Sequence, residues 1–195
     1  MNTQNAEQNS EAAVEVSLEF TPNPNTLKYV VNRTLLASGA ANFPTKESAE
    51  RSPLAKRLFS VLGVTAVMVG RNFVTVTKGN EGDWEGLNRG VNDTLKDHLG
   101  KNLPVVDESV VTSGPTGQGT GVIEDKIREI LDREIRPAVA MDGGDITFEK
   151  FENGVVYLYL QGSCSGCPSS TATLKMGIEN RLKEAIPEVQ EVVSV

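Results

Sequence analysis

The chain has 195 residues, 38% apolar and 23% charged, which is enough to fill one large or two small cores and too apolar for a disordered or fibrous protein. Nineteen Lys and Arg against 26 Asp and Glu leave a formal charge of −7, so no nucleic-acid partner is expected, because phosphate binding needs a basic surface. No apolar run approaches the roughly 20 residues that span a bilayer, and no membrane partner is expected either.

Residues 1–13 read as a disordered tail. Met1 to Glu15 are polar and hold three Glu but neither Lys nor Arg, so they match neither a secretory signal nor an Arg-rich transit peptide, and the expected location is cytoplasmic. Val14, Val16, Leu18 and Phe20 then alternate with polar residues at the period of a half-buried strand. Thr21-Pro22-Asn23-Pro24-Asn25-Thr26 is a turn-rich connection, open to reading as a partner-recognition loop or as a plain link, before Leu27, Tyr29 and Val31 resume the alternation.

Ser52-Pro53 starts a helix, a capping hydroxyl before a proline at the first helical position, with Leu54, Leu58, Val61 and Leu62 on one face and Gly63 as the stop. Ala66 to Val69 and Phe73 to Thr77 form a hairpin across Gly70-Arg71-Asn72. Asp83 caps a last helix whose stripe is Trp84, Leu87, Val91, Leu95 and Leu99, with Trp84 expected to anchor the core. His98, beside Asp97 near the end of that helix, is expected to be solvated or capping rather than a ligand. Residues 14–108 thus form a ββαββα domain.

Residues 109–121 carry four glycines and a proline, with only Val110 and Val111 as sizeable apolar side chains. No core can form there, and the segment reads as a flexible linker with a mean span of roughly 20 Å. Beyond it, Ile123, Ile127, Ile130, Leu131 and Ile135 make a helical stripe that Pro137 closes. Met141-Asp142-Gly143-Gly144-Asp145 is a turn that needs glycine freedom. Ile146 to Phe151 and Val155 to Leu160 follow as a hairpin across Asn153-Gly154. Ser169 or Ser170 caps a helix carrying Leu174, Ile178, Leu182 and Ile186, and Val189 to Val195 supplies a last strand. Residues 122–195 are an αββαβ domain, and the fold class is α+β with two small domains.

Two cysteines cannot make a secreted-type disulfide framework, and both sit four positions apart at most, as Cys164 and Cys167. They lie in Gly162-Ser163-Cys164-Ser165-Gly166-Cys167-Pro168, between the end of a strand and the start of a helix. This spacing lets both sulfurs face one side of a tight turn, and a helix start favours thiolates. Besides mere packing, three uses remain open. A thiol-disulfide oxidoreductase has the same strand, Cys-x-x-Cys, helix order, but no aromatic residue precedes this pair. Structural zinc and iron-sulfur clusters both want four ligands, and the chain has no third cysteine and one histidine, in the other domain. Two chains about a twofold axis supply four thiolates, at a surface site that opens when the chains part.

The segments IREILDREIRPAVAMDGGDITF and LQGSCSGCPSSTATLKMGIENRLKEAIPEV make residues 122–195 resemble the C-terminal domain of NifU-type proteins, the Nfu iron-sulfur cluster scaffolds and carriers. In FTPNPNTLKY, SPLAKRLFSVLGVTAV and RNFVTVTK, residues 18–99 are similar to the N-terminal domain of the same proteins. The resemblance implies a homodimer, at least when loaded, that bridges a [4Fe-4S] cluster through Cys164 and Cys167 of each chain and donates it to apo-proteins. It implies no enzyme activity. The first domain would recognise clients or upstream cluster donors. The larger NifU scaffolds add a cysteine-bearing assembly domain and a ferredoxin-like domain that this sequence lacks, which favours a carrier over a site of cluster construction. A thiol-disulfide oxidoreductase is the alternative, and a zinc-linked interaction module a third reading.

Overall fold

The computed structural model describes residues 13–79, 82–107, 109, 111, 121–165 and 168–195, with 168–170 described by backbone alone. The expected tail, apart from Ala13, and most of the expected linker lie outside the described residues. The fold is α+β with two domains.

The first domain is a five-stranded antiparallel sheet in the order β1-β2-β5-β4-β3. Its strands are β1 (Val16–Phe20), β2 (Thr26–Val31), β3 (Ala41–Phe43), β4 (Val64–Val69) and β5 (Phe73–Lys78). A 3₁₀ turn at Glu47–Arg51 leads into α1 (Pro53–Leu58), and α2 (Trp84–Gly100) follows the sheet. The twofold alternation of strand side chains sorts each strand into two faces. Leu27, Tyr29, Phe43, Val67, Val74 and Val76 are buried in one core with Leu54 and Leu58 of α1 and Leu87, Val91 and Leu95 of α2. Both helix starts are capped as their sequences require: Ser52 accepts from the Ala55 amide at 3.0 Å and Asp83 from the Gly86 amide at 3.4 Å.

Strand β3 was not expected, because three residues are too short to show a period. Helix α1 ends at Leu58, so Leu62, expected on its buried stripe, is 94% exposed. Trp84 is only partly buried at the rim, where its indole N–H donates to the Pro24 carbonyl at 3.2 Å and pins the Thr21–Thr26 loop.

His98 corrects a second expectation, since it is fully buried. Its Nε2 lies 2.9 Å from the Pro104 carbonyl and must carry the proton, which leaves the Nδ1 lone pair facing the Arg57 guanidinium of α1 at 3.5 Å. Arg57 and Lys101 both pair with Asp97 at 2.6 Å. Burial, more than any other cause, holds the His98 imidazole below its ordinary value. The unfolded chain therefore takes up this proton first as pH falls, and folding stability drops below about pH 6.5. The carboxyl of Asp97, lowered by its hydrogen bonds to Lys101 and Arg57, titrates in a more acid range and does not contribute to that window. Urea midpoints at about pH 7.5 and about pH 5.5 should fall for the native chain and fall less for His98→Gln.

The second domain is a three-stranded sheet in the order β6-β7-β8, with β6 (Gly144–Glu152) antiparallel to β7 (Val155–Gly162), and β7 parallel to β8 (Glu191–Ser194). Asn153 and Gly154 both have positive φ, 51° and 82°, as a two-residue hairpin turn of the matching twist demands. Helix α3 (Val122–Ile130) does not end before Pro137. It passes through a π turn at Leu131–Ile135 and restarts as α4 (Arg136–Met141), with the proline in its first turn. There the missing N–H and the ring clash do no harm, so the proline starts a helix segment instead of closing one. Helix α5 (Pro168–Ala185) begins earlier than expected, which puts Ser169 and Ser170 inside its first turn. Ile127, Leu131 and Val139 pack with Ile146, Phe148, Val156 and Leu158 of the sheet and with Ile178, Leu182 and Ile186. Among the described residues no helix is long and apolar enough to cross a membrane.

Candidate functional site

Two glycine turns meet beneath the cysteine loop. Gly143, with φ +78°, ends the link from α4, and Gly162, with φ +63°, ends β7. Neither conformation suits a residue with a side chain. The Ser163 amide donates to the Gly143 carbonyl at 3.1 Å, and the Ser163 hydroxyl donates to the Asp142 carbonyl at 2.5 Å. The Ser165 amide and hydroxyl turn back to the Gly162 carbonyl at 3.2 and 2.8 Å. Thr171, in the first turns of α5, donates to the Cys164 carbonyl at 3.0 Å. Among the described residues these hydrogen bonds come from small polar side chains or from backbone, and Cys164 is held between β7 and α5.

Cys164 is a free thiol, 7% exposed. A cavity of about 570 Å³ opens on it, lined chiefly by Ile135, Ala138, Val139, Leu174 and Ile178 of its own domain and Pro22 of the other. Glycine at 144 is what leaves room for the sulfur: a Cβ there would collide with Cys164 Sγ and would sit 3.1 Å from the Gln161 carbonyl. Cys167, the other half of the expected ligand pair, lies outside the described residues.

Burial pushes the Cys164 thiol up to about 11, the contact with Ser163 works against this, and Asp142 and Asp145 raise it further. A helix start is expected to favour a thiolate, whereas the burial of Cys164 acts in the opposite direction. A dithiol oxidoreductase needs a low-pKa, accessible thiolate, and Cys164 is neither. The Asp145 carboxylate is not free to act as a ligand. Both oxygens of Asp145 are taken by Arg136, through Nε and Nη2 at 2.9 Å each, and Arg136 also binds Asp132 at 3.1 Å. His98 is enclosed in the first domain's core. Among the described residues no group of three or more His, Cys, Asp or Glu could hold a metal ion.

The first domain reaches the site, which the sequence did not signal. Asn23 Nδ2 donates to the Ser165 carbonyl at 3.0 Å, and Lys28 Nζ donates to the Met141 carbonyl at 3.0 Å while pairing with Glu19 at 2.9 Å. Thr21 and Thr75 stand against Gly143, and Met68 against Gly162.

Residues 16–102 match the family described as "Scaffold protein Nfu/NifU N terminal", and residues 127–193 match the "NifU-like domain". The chain is 44% identical over 185 residues to "NFU1 iron-sulfur cluster scaffold homolog, mitochondrial" of Homo sapiens, covering 92% of this chain and 71% of that protein. It is 41% identical over 193 residues to the protein of the same name in Drosophila virilis, covering 95% of this chain and 63% of the relative. A solved structure of a NifU-like protein from Saccharomyces cerevisiae aligns with 55% of this chain and 99% of its own length, at 22% identity and a TM-score of 0.46. The chain thus spans less than two thirds of the fly relative. The names also overturn the expected cytoplasmic location, because these relatives are mitochondrial. A polar opening segment without Arg does not assign a compartment, since targeting segments are absent from mature chains.

Proposed function

Because this chain belongs to the Nfu family of iron-sulfur cluster scaffold proteins, we propose that it carries a [4Fe-4S] cluster as cargo between two copies of itself and passes it to apo-proteins. Cys164 and Cys167 of each chain would be the ligands. The observation that supports this reading is a shortfall of donors. The sequence holds two cysteines, the Asp145 carboxylate near Cys164 is engaged by Arg136, and a cubane takes four thiolates. A second copy makes up the difference with the same pair. A centre divided between chains is released when they separate, which suits cargo better than a resident cofactor. The protein then performs no catalysis of its own. Its partners are an upstream donor and apo-clients.

Loading the metal-free protein with iron and sulfide under anoxic conditions should give about four iron per dimer, with a Mössbauer spectrum of a cubane and a dimeric native mass. Four iron in a monomer, or none after loading, would overturn the proposal. One zinc per dimer in protein purified without loading would favour a structural zinc link instead.

A further inference from the structure

The face of the first sheet opposite its core is unusual for what it hides. Lys28 and Thr75 alternate with core residues on β2 and β5, positions where polar side chains normally meet water, yet they are 8% and 1% exposed. Their cover is the second domain. A Cβ at Gly143 would meet Thr75 Cγ2 at 2.8 Å and Lys28 Cβ at 3.4 Å, and one at Gly162 would meet Met68 Cε at 2.8 Å. Met68 and Phe73 on the same face are 1% and 6% exposed, in a small cluster with Ala40 that Ala140 of α4 closes. The parts of the second domain so covered are the two glycine turns that carry the cysteine loop.

From this geometry we infer that the first domain is an intramolecular latch, whose sheet face and Thr21–Thr26 loop hold Ser163 to Ser165 and the glycine turns beneath them in the metal-free chain and lift off when a cluster is loaded. Asn23 is the catch, since it binds the carbonyl of Ser165, the residue that follows Cys164. Lys28 is the second hold, through the Met141 carbonyl, and Pro22 walls the cavity beside the sulfur. For two chains to share one cluster, Cys164 must face a partner across a common centre, and in the closed chain Pro22 stands at the cavity beside the sulfur and Asn23 holds the next residue. Among the described residues the fastening includes two side-chain hydrogen bonds and a small apolar cluster, the scale of a reversible domain contact. Strong fastening would prevent loading, and none would leave the thiol open to oxidation. The part of this inference that concerns loading rests on the proposed function, whereas the closed state stands without it.

Thr75→Lys is the direct test, because the longer side chain has no room against Gly143 but is at ease on a solvated strand face. In metal-free full-length protein, iodoacetamide should modify Cys164 at least about tenfold faster in Thr75→Lys than in the native sequence, read by fragmentation mass spectrometry. Small-angle scattering should show a larger radius of gyration for the variant at unchanged circular dichroism. Asn23→Ala with Lys28→Met should move both readings the same way without adding bulk, which keeps the test intact if Thr75→Lys fails to fold. The loaded native protein should scatter as an open form. Equal modification rates and equal radii in all the variants that fold would overturn the latch, whatever the iron content. Release of Cys164 by the variants together with a failure to retain iron would leave the latch standing and remove the cluster-carrying function instead.

Discussion

Replacing Cys164 and Cys167 together by Ser should leave a folded chain that retains no iron after anoxic loading and desalting, against about four per dimer for the native sequence. The hydroxyl is a poor ligand for iron next to a thiolate, so the loss should be complete rather than graded. The fold should survive because the exchange is small. Cys164 belongs to the second domain's core, and placing a hydroxyl there costs about 1–2 kcal/mol in transfer from water. Most of that domain's apolar burial, from Ile127 to Val192, is untouched. Circular dichroism and a urea transition check the fold, and elemental analysis checks the metal. Iron retained at the native level would place the cluster on other ligands. Loss of folding would instead mean that the pair has a structural role.

How much of this was legible in the sequence depends on how local each feature is. Strand alternation in Leu27-Tyr29-Val31 and the Asn153-Gly154 turn are fixed by neighbours within a few residues, and both appear where the pattern puts them. The continuation of α3 into α4 was not legible. The rule that proline ends a helix assumes regular i to i−4 bonding, and a π turn, which breaks that bonding just upstream, has no residue signature. His98 was misread for a related reason. A histidine near a helix end looks solvated until Arg57 of α1 and the return of the chain at Pro104 close around it.

The site divided in the same way. The cysteine pair, its glycines and its place between a strand and a helix could be read directly. The burial of Cys164 could not, nor the upward push on its thiol that follows from it. A polar residue at an alternating strand position looks the same whether it meets water or a carbonyl of another domain. Lys28 and Thr75 are therefore silent in sequence, and Asn23 sits in a segment whose two readings, recognition loop and plain link, the residues alone left open. The glycine-rich segment between the domains was read as a flexible linker. Contacts across the domain boundary depend on surface complementarity, which composition does not encode.

Arg136→Leu should cost the second domain about 3–5 kcal/mol, the range for removing one partner of a buried ion pair. Asp145 has a side chain only 7% exposed, and both its oxygens depend on this one guanidinium. Asp132, the other partner of Arg136, is 43% exposed, so Asp132→Ala should cost no more than about 1 kcal/mol. The contrast separates burial from charge count. Arg136→Leu with Asp145→Leu should be less destabilised than Arg136→Leu alone, because the stranded carboxylate, rather than the lost attraction, accounts for most of the damage. The effect reaches the cysteine loop through Gly144, which precedes Asp145 in β6 and abuts Cys164 Sγ. An unpaired Asp145 must turn toward water, and that disturbs the strand start against which the sulfur rests. Urea denaturation of the three variants measures the energies. If Arg136→Leu proves no worse than Asp132→Ala, the buried pair is not what fixes this strand start.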